Sequence, residues 1–146
     1  MASLYERDFH AWANEQAALL RAGRLAAADI EHIAEEIESM GKTEKRELVN
    51  RLAVLLMHLL KWQFQPIRRG SSWERTILEQ RIRLESHMAD NPSLRAKLGD
   101  AIAEAYRLAL IGAADETALP RATFPTSCPW SFEKVMDEAF WPESSS

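Results

Sequence analysis

Between Leu48 and Trp62 apolar side chains recur every three or four residues, at Leu48, Leu52, Leu55, Leu59 and Trp62, and Val54, Leu56, Met57 and Leu60 fill positions between them. A helix apolar around most of its circumference has to be buried among other elements, so this run alone demands a body packed around it. The rest of the chain agrees. Only 5 Gly and 6 Pro interrupt 146 residues in which Ala, Leu, Glu and Arg dominate, and these are good helix formers. The expectation is an all-α fold: an up-and-down bundle of four to five main helices in a single domain spanning residues 1–146. A chain of this length buries roughly 68–70% of its unfolded surface, enough for a core without metal or disulfide staples. Cys128 stands alone, which leaves no partner for an internal disulfide or a Cys-paired zinc site. The uncharged stretch Leu52–Leu60 lies between Arg51 and Lys61, far short of the ~18 residues a membrane span needs. The opening residues lack the basic-then-apolar pattern of a secretory signal, so the expected location is cytoplasmic, with no membrane partner.

Caps and breakers divide the chain. Ser3 and Glu6 have capping-box spacing, and Phe9, Trp12, Ala13, Gln16, Leu19 and Leu20 continue a helical period to Gly23. Asp29 is placed to cap a second helix, whose stripe Ile30, Ile33, Ile37 and Met40 runs to a stop at Gly41. Thr43 is the expected cap of the third, which Pro66 ends. Ser71 and Glu74 repeat the capping-box spacing at the head of a fourth, running to about Asp90. Asn91-Pro92 opens a fifth, running to about Gly112; Gly99 costs it roughly 1 kcal/mol unless a neighbour needs the space. From residue 117 to 130, Pro120, Pro125 and Pro129 forbid a helix. Phe124, Trp130 and Phe132 make this segment too aromatic for a solvated linker, so it is expected to fold back on the bundle and lead into a short helix over about 131–140, with a frayed tail at 143–146.

Several blocks resemble, in order, a large bacterial family known as domain of unknown function number twenty-nine: Leu4-Tyr5-Glu6-Arg7-Asp8-Phe9-His10-Ala11-Trp12, Ile33-Ala34-Glu35-Glu36-Ile37-Glu38-Ser39-Met40-Gly41, His58-Leu59-Leu60-Lys61-Trp62-Gln63, Ser72-Trp73-Glu74-Arg75-Thr76-Ile77-Leu78-Glu79-Gln80-Arg81 and Phe124-Pro125-Thr126-Ser127-Cys128-Pro129-Trp130-Ser131. The resemblance covers nearly the whole chain, from Leu4 to Pro142. It implies a helical bundle and carries over no substrate, cofactor or catalytic residue.

Function must then be weighed from the residues. Four histidines fall one on each of the first four helices. His32 lies about 200° around the helix from Ile30, hence outward, while His10 and His87 sit at the margins of their stripes. Only His58, three after Leu55 and four before Trp62, points inward. No Glu-x-x-His motif of a di-iron bundle is present, so neither a metal site nor a cofactor is expected. Glu31, Glu35, Glu36 and Glu38 suggest a magnesium-binding acidic helix. The matching acidic pair is missing, because Glu44 and Glu47, though correctly spaced, fall near the start of the third helix. A solvated acidic face seeking charge partners is the simpler reading.

Those partners lie between Lys61 and Arg83, where six basic residues outnumber two acids. Glu31, Glu35 and Glu38 on one side and Arg68, Arg69, Arg75 and Arg81 on the other are therefore candidate interaction residues, within the chain, across a two-fold dimer, or with a separate protein. A nucleic-acid groove built on the same arginines with Trp62, Phe64 and Trp73 is disfavoured, because the tryptophans sit at core spacing and the net charge is −4. A small-molecule pocket is the remaining alternative: Glu36, His58, Trp62, Trp73 and Gln80 would line it, and His58 would be its proton carrier. Cys128, in a Ser-Cys-Pro turn, has no histidine near it in sequence to make it a nucleophile. The leading expectation is a protein–protein interaction module, with a partner protein or a second copy, rather than an enzyme.

Overall fold

The computed structural model describes residues 2–144; the tail residues 145 and 146 lie outside them. The fold is all-α, with no strand among the described residues, and four main helices dominate it. In chain order the α-helices are α1 (Leu4–Arg7), α2 (Phe9–Arg21), α3 (Ile30–Phe64), α4 (Ser71–Asp90), α5 (Leu98–Thr117) and α6 (Phe132–Met136), with α2 to α5 the main ones. Among the described residues no helix is long and apolar enough to cross a membrane. The chain forms two compact units, Met1–Thr43 and Glu44–Ser146.

In the first unit the expected first helix is broken at Asp8. Its backbone turns to φ −149°, and its carboxylate accepts the Ala11 amide at 3.0 Å, so Asp8 rather than Ser3 caps the main helix. Ser3 precedes α1 without a side-chain cap. Gly23 does end α2, at φ 71°. Its amide reaches the Leu20 carbonyl and that of Arg24 the Leu19 carbonyl, the paired bonds of a Schellman closure. A small aromatic and polar nucleus holds the unit together. Tyr5 stacks on His32 with ring centroids 4.0 Å apart and meets Trp12 edge-on at 4.7 Å. Trp12 Nε1 donates to Asp29 at 3.1 Å, and the Asp29 amide donates to Gln16 Oε1 at 2.6 Å. His32, expected to face outward, is therefore part of this nucleus.

The second and third expected helices are one. α3 runs through Gly41 unbroken, and the Thr43 hydroxyl donates back to the Ser39 carbonyl at 2.9 Å instead of capping a new start. A single glycine costs a helix roughly 1 kcal/mol but stops it only when the following residues favour a turn, and Lys42 and Thr43 do not.

The second unit holds the hydrophobic core. Leu48, Leu52, Leu55, Leu56, Leu59 and Leu60 of α3 are fully buried against Ile77 and Leu84 of α4 and the small-residue face Ala101, Ala105, Ala109 and Ala113 of α5. Each buried leucine contributes about 1.5–3 kcal/mol of apolar transfer. α3 ends at Phe64, before Pro66, as expected. α4 begins at Ser71 with Gly70 in the capping position and no side-chain cap, so the expected Ser71 box is absent. Residues Pro92–Lys97 form a 3₁₀ stretch before α5, which passes through Gly112 to Thr117. Gly112 serves packing instead: a Cβ there would lie 2.6 Å from Met57 Sδ.

The proline-rich segment folds back as its aromatics require. Phe124 packs edge-on to Phe64 at 5.0 Å, Trp130 to Phe140 at 5.9 Å, and Trp62 meets Trp141 at 4.6 Å. The buried Tyr106 hydroxyl donates to the Pro125 carbonyl at 2.6 Å, and burial pushes its pKa up to about 12. Ser131 caps α6, its hydroxyl accepting the Lys134 amide.

Candidate functional site

Within the second unit, three potential ligands converge where α3 and α4 run side by side. Glu44 and Glu47, three residues apart, share a face of α3, and His87 reaches them from α4; one ligand atom from each lies within 4.8 Å of the others. His87 is 8% exposed, the most buried histidine of the chain. Its Nε2–H donates to the Glu44 backbone carbonyl at 2.8 Å, because a carbonyl can only accept. That bond fixes the ring and leaves Nδ1 facing Glu44 Oε2 and Glu47 Oε2, each 3.6 Å away and neither hydrogen-bonded to it. Arg51, one turn further along α3, grips the other Glu47 oxygen at 2.7 and 2.9 Å. This bond, opposed by desolvation and aided by the charge of His87, holds the Glu47 carboxyl below its ordinary pKa. The three groups border an open cleft of about 560 Å³ to which Arg83 and Asp90 also contribute.

The residues singled out from sequence are distributed otherwise. Glu36 belongs to the first unit, where it accepts the Tyr5 hydroxyl and raises the pKa of that phenol to about 12. His58 and Gln80 belong to the second. The His58 ring donates through Nδ1 to the carbonyl of Val54 on its own helix at 2.8 Å, and burial lowers its pKa, aided by the nearby Lys61 charge. Gln80 Oε1 is buried without a partner among the described residues, and no hydrogen bond there joins it to His58. Trp62 and Trp73 are half-buried, Trp62 under the Arg69 guanidinium at 5.0 Å and Trp73 under the Lys61 ammonium at 4.7 Å.

Of the four candidate arginines, Arg68 and Arg75 are exposed. Arg69 donates to the Trp62 and Pro142 carbonyls. Arg81 is buried, with Nε on the Val135 carbonyl at 2.8 Å and an Nη on that of Phe140 at 2.7 Å. Two of the four are thereby committed to holding the C-terminal segment. Glu31, Glu35 and Glu38 are exposed on α3. The half-buried Cys128 thiol donates to the Trp130 carbonyl, and burial pushes its pKa up, the opposite of what a nucleophilic thiolate needs.

None of Glu44, Glu47 and His87 is among the candidates that the sequence singles out. Residues 47 and 87 lie equally far on either side of Ile67, so two antiparallel helices rising equally from that corner bring them level. The spacing carries this signal, and the place of His87 at the margin of its apolar stripe conceals it.

Fold and site together define an all-helical protein with a leucine-rich core and a carboxylate–imidazole cluster between two antiparallel helices. The model of the family described as Domain of unknown function DUF29 matches residues 4–141, and the chain belongs to that family. No curated protein and no solved structure matches it.

Proposed function

We propose that this protein is an interaction module that captures a partner through the N-terminal part of α3. The observation carrying this reading is the stripe read from sequence as inward-facing: Ile30, Ile37 and Met40 are 54%, 63% and 68% exposed. With the half-buried Ile33 they occupy an arc of about 80° at 3.6 residues per turn, a continuous apolar seam along one helix face. Apolar side chains gathered in one exposed strip mark a docking surface. Glu31, Glu35 and Glu38 form an exposed row beside the seam, and no Lys or Arg occurs from Asp29 to Gly41. The charge selects the occupant: a partner helix with its own apolar stripe flanked by Lys or Arg, since a like-charged flank would be repelled.

The test compares the intact chain with two variants, I37E/M40E in the seam and E31K/E35K/E38K in the row, using crosslinking to map the captured segment and light scattering for self-association. Loss of capture in both variants, with the crosslinks on a basic amphipathic helix, is the expected result. Capture indifferent to both sets of changes, or a dimer of this chain that I37E/M40E dissolves, would overturn it.

A further inference from the structure

We infer that Glu44, Glu47 and His87 form a binding site for one divalent transition-metal ion of the Zn²⁺ type. This goes beyond the docking reading and does not depend on it, since the seam lies in the first unit and the cluster in the second. Three features carry the inference.

First, the donor set suits such an ion, one imidazole nitrogen and two carboxylate oxygens being ligands that Zn²⁺ and its neighbours accept, with further positions left to water or a ligand in the cleft. Second, the histidine is prepared. A metal-binding imidazole coordinates through one nitrogen while the other donates to a carbonyl or carboxylate, which orients the ring and fixes its tautomer. Here the Nε2–H bond to the Glu44 carbonyl supplies that support, and Nδ1 of a ring more than nine-tenths buried makes no hydrogen bond among the described residues. Third, the spacing fits. Two donors on one tetrahedral ion, each at about 2.0–2.2 Å, lie roughly 3.3–3.6 Å apart, and Nδ1 lies 3.6 Å from each carboxylate oxygen.

Two carboxylate oxygens gathered beside an imidazole nitrogen that is hydrogen-bonded to neither of them call for positive charge at their centre. Arg51 does not supply it there. It binds the far oxygen of Glu47 and leaves Oε2 directed at His87, as an outer-shell group does for a ligating carboxylate.

The test uses the full chain, stripped with a chelator and titrated with Zn²⁺ by calorimetry and with Co²⁺ by visible absorption. One ion per chain is expected, with a rise in thermal midpoint that grows with free Zn²⁺. E44Q and E47Q, at half-exposed positions that tolerate the change, should each weaken binding at least about tenfold. H87Q should do the same, while H10Q and H58Q leave the affinity unchanged. The inference fails if Zn²⁺ produces no saturable binding, which would mean that a proton on His87 supplies the charge, or if binding survives in the E44Q/E47Q double variant, which would place the ion elsewhere.

Discussion

The surroundings of His58 disfavour its charged form, and that has a consequence for pH. Burial and the Lys61 charge both disfavour the imidazolium, so the folded pKa lies below the ordinary value near 6.5. Between the two values the unfolded chain binds more protons than the folded one. Stability therefore falls as pH drops below about 6.5 and is intact above it. Chemical denaturation at about pH 7.5 and about pH 5.5 should show a larger loss for the wild type than for His58→Gln, and equal losses would refute this. Arg81 is the other residue whose role burial decides. Among the described residues no carboxylate lies within bonding range of its guanidinium, which is fixed by two backbone carbonyls of the C-terminal segment. Burial lowers its pKa, partly countered by Asp137 and Glu138. Arg81→Met keeps the stem and strands both acceptors, so it should cost about 2–4 kcal/mol in thermal unfolding and open the chain after Ser131 to protease. From sequence Arg81 read as surface charge because its stem-length reach to a segment more than fifty residues away leaves no local trace, whereas Trp12, Leu52 and Ile77 announced their burial by spacing.

At the level of elements, helix type and rough extent were legible because 3.6-residue periodicity and proline are local signals, and α2, α4, α5 and the aromatic return all follow from them. Starts and stops were less so. A serine three residues before a glutamate has the spacing of a capping box, but that spacing competes with local alternatives: Ser3 holds the cap position without a side-chain bond, and Gly70 takes it ahead of Ser71. Gly41 shows the same competition in reverse, a breaker overridden by helix-compatible neighbours on both sides. A Cβ at Gly41 meets nothing within 4 Å and the backbone is helical. Gly41→Ala should accordingly stabilise by about 1 kcal/mol, read as a raised denaturation midpoint with unchanged slope. A destabilised Gly41→Ala variant would show that this position needs a conformation other than the helix. Gly99, also in open space, offers a second site for the same gain.

Over the whole molecule, buried apolar groups are distributed unevenly, and resistance to opening should follow them. Every member of the buried leucine-rich cluster lies in the second unit. The first relies on Trp12 and Gln16 as its buried side chains, together with a half-exposed ring stack and the bonds around Asp29. Asp29 and His32 strengthen each other through a 2.6 Å bond that lowers the acid's pKa and raises the base's. Their pairing therefore acts fully between the ordinary values of about 3.9 and 6.5 and fades outside that window. A region with few buried contacts opens at a lower free energy than one with a closed core, whatever its helical content. Amide exchange followed by mass spectrometry should show α1 and α2 losing protection well before residues 48–60 of α3, with the contrast sharpening as pH rises past the His32 titration. Equal protection across α2 and residues 48–60, surviving Trp12→Ala, would mean that the two units open as one and that core content does not set the order.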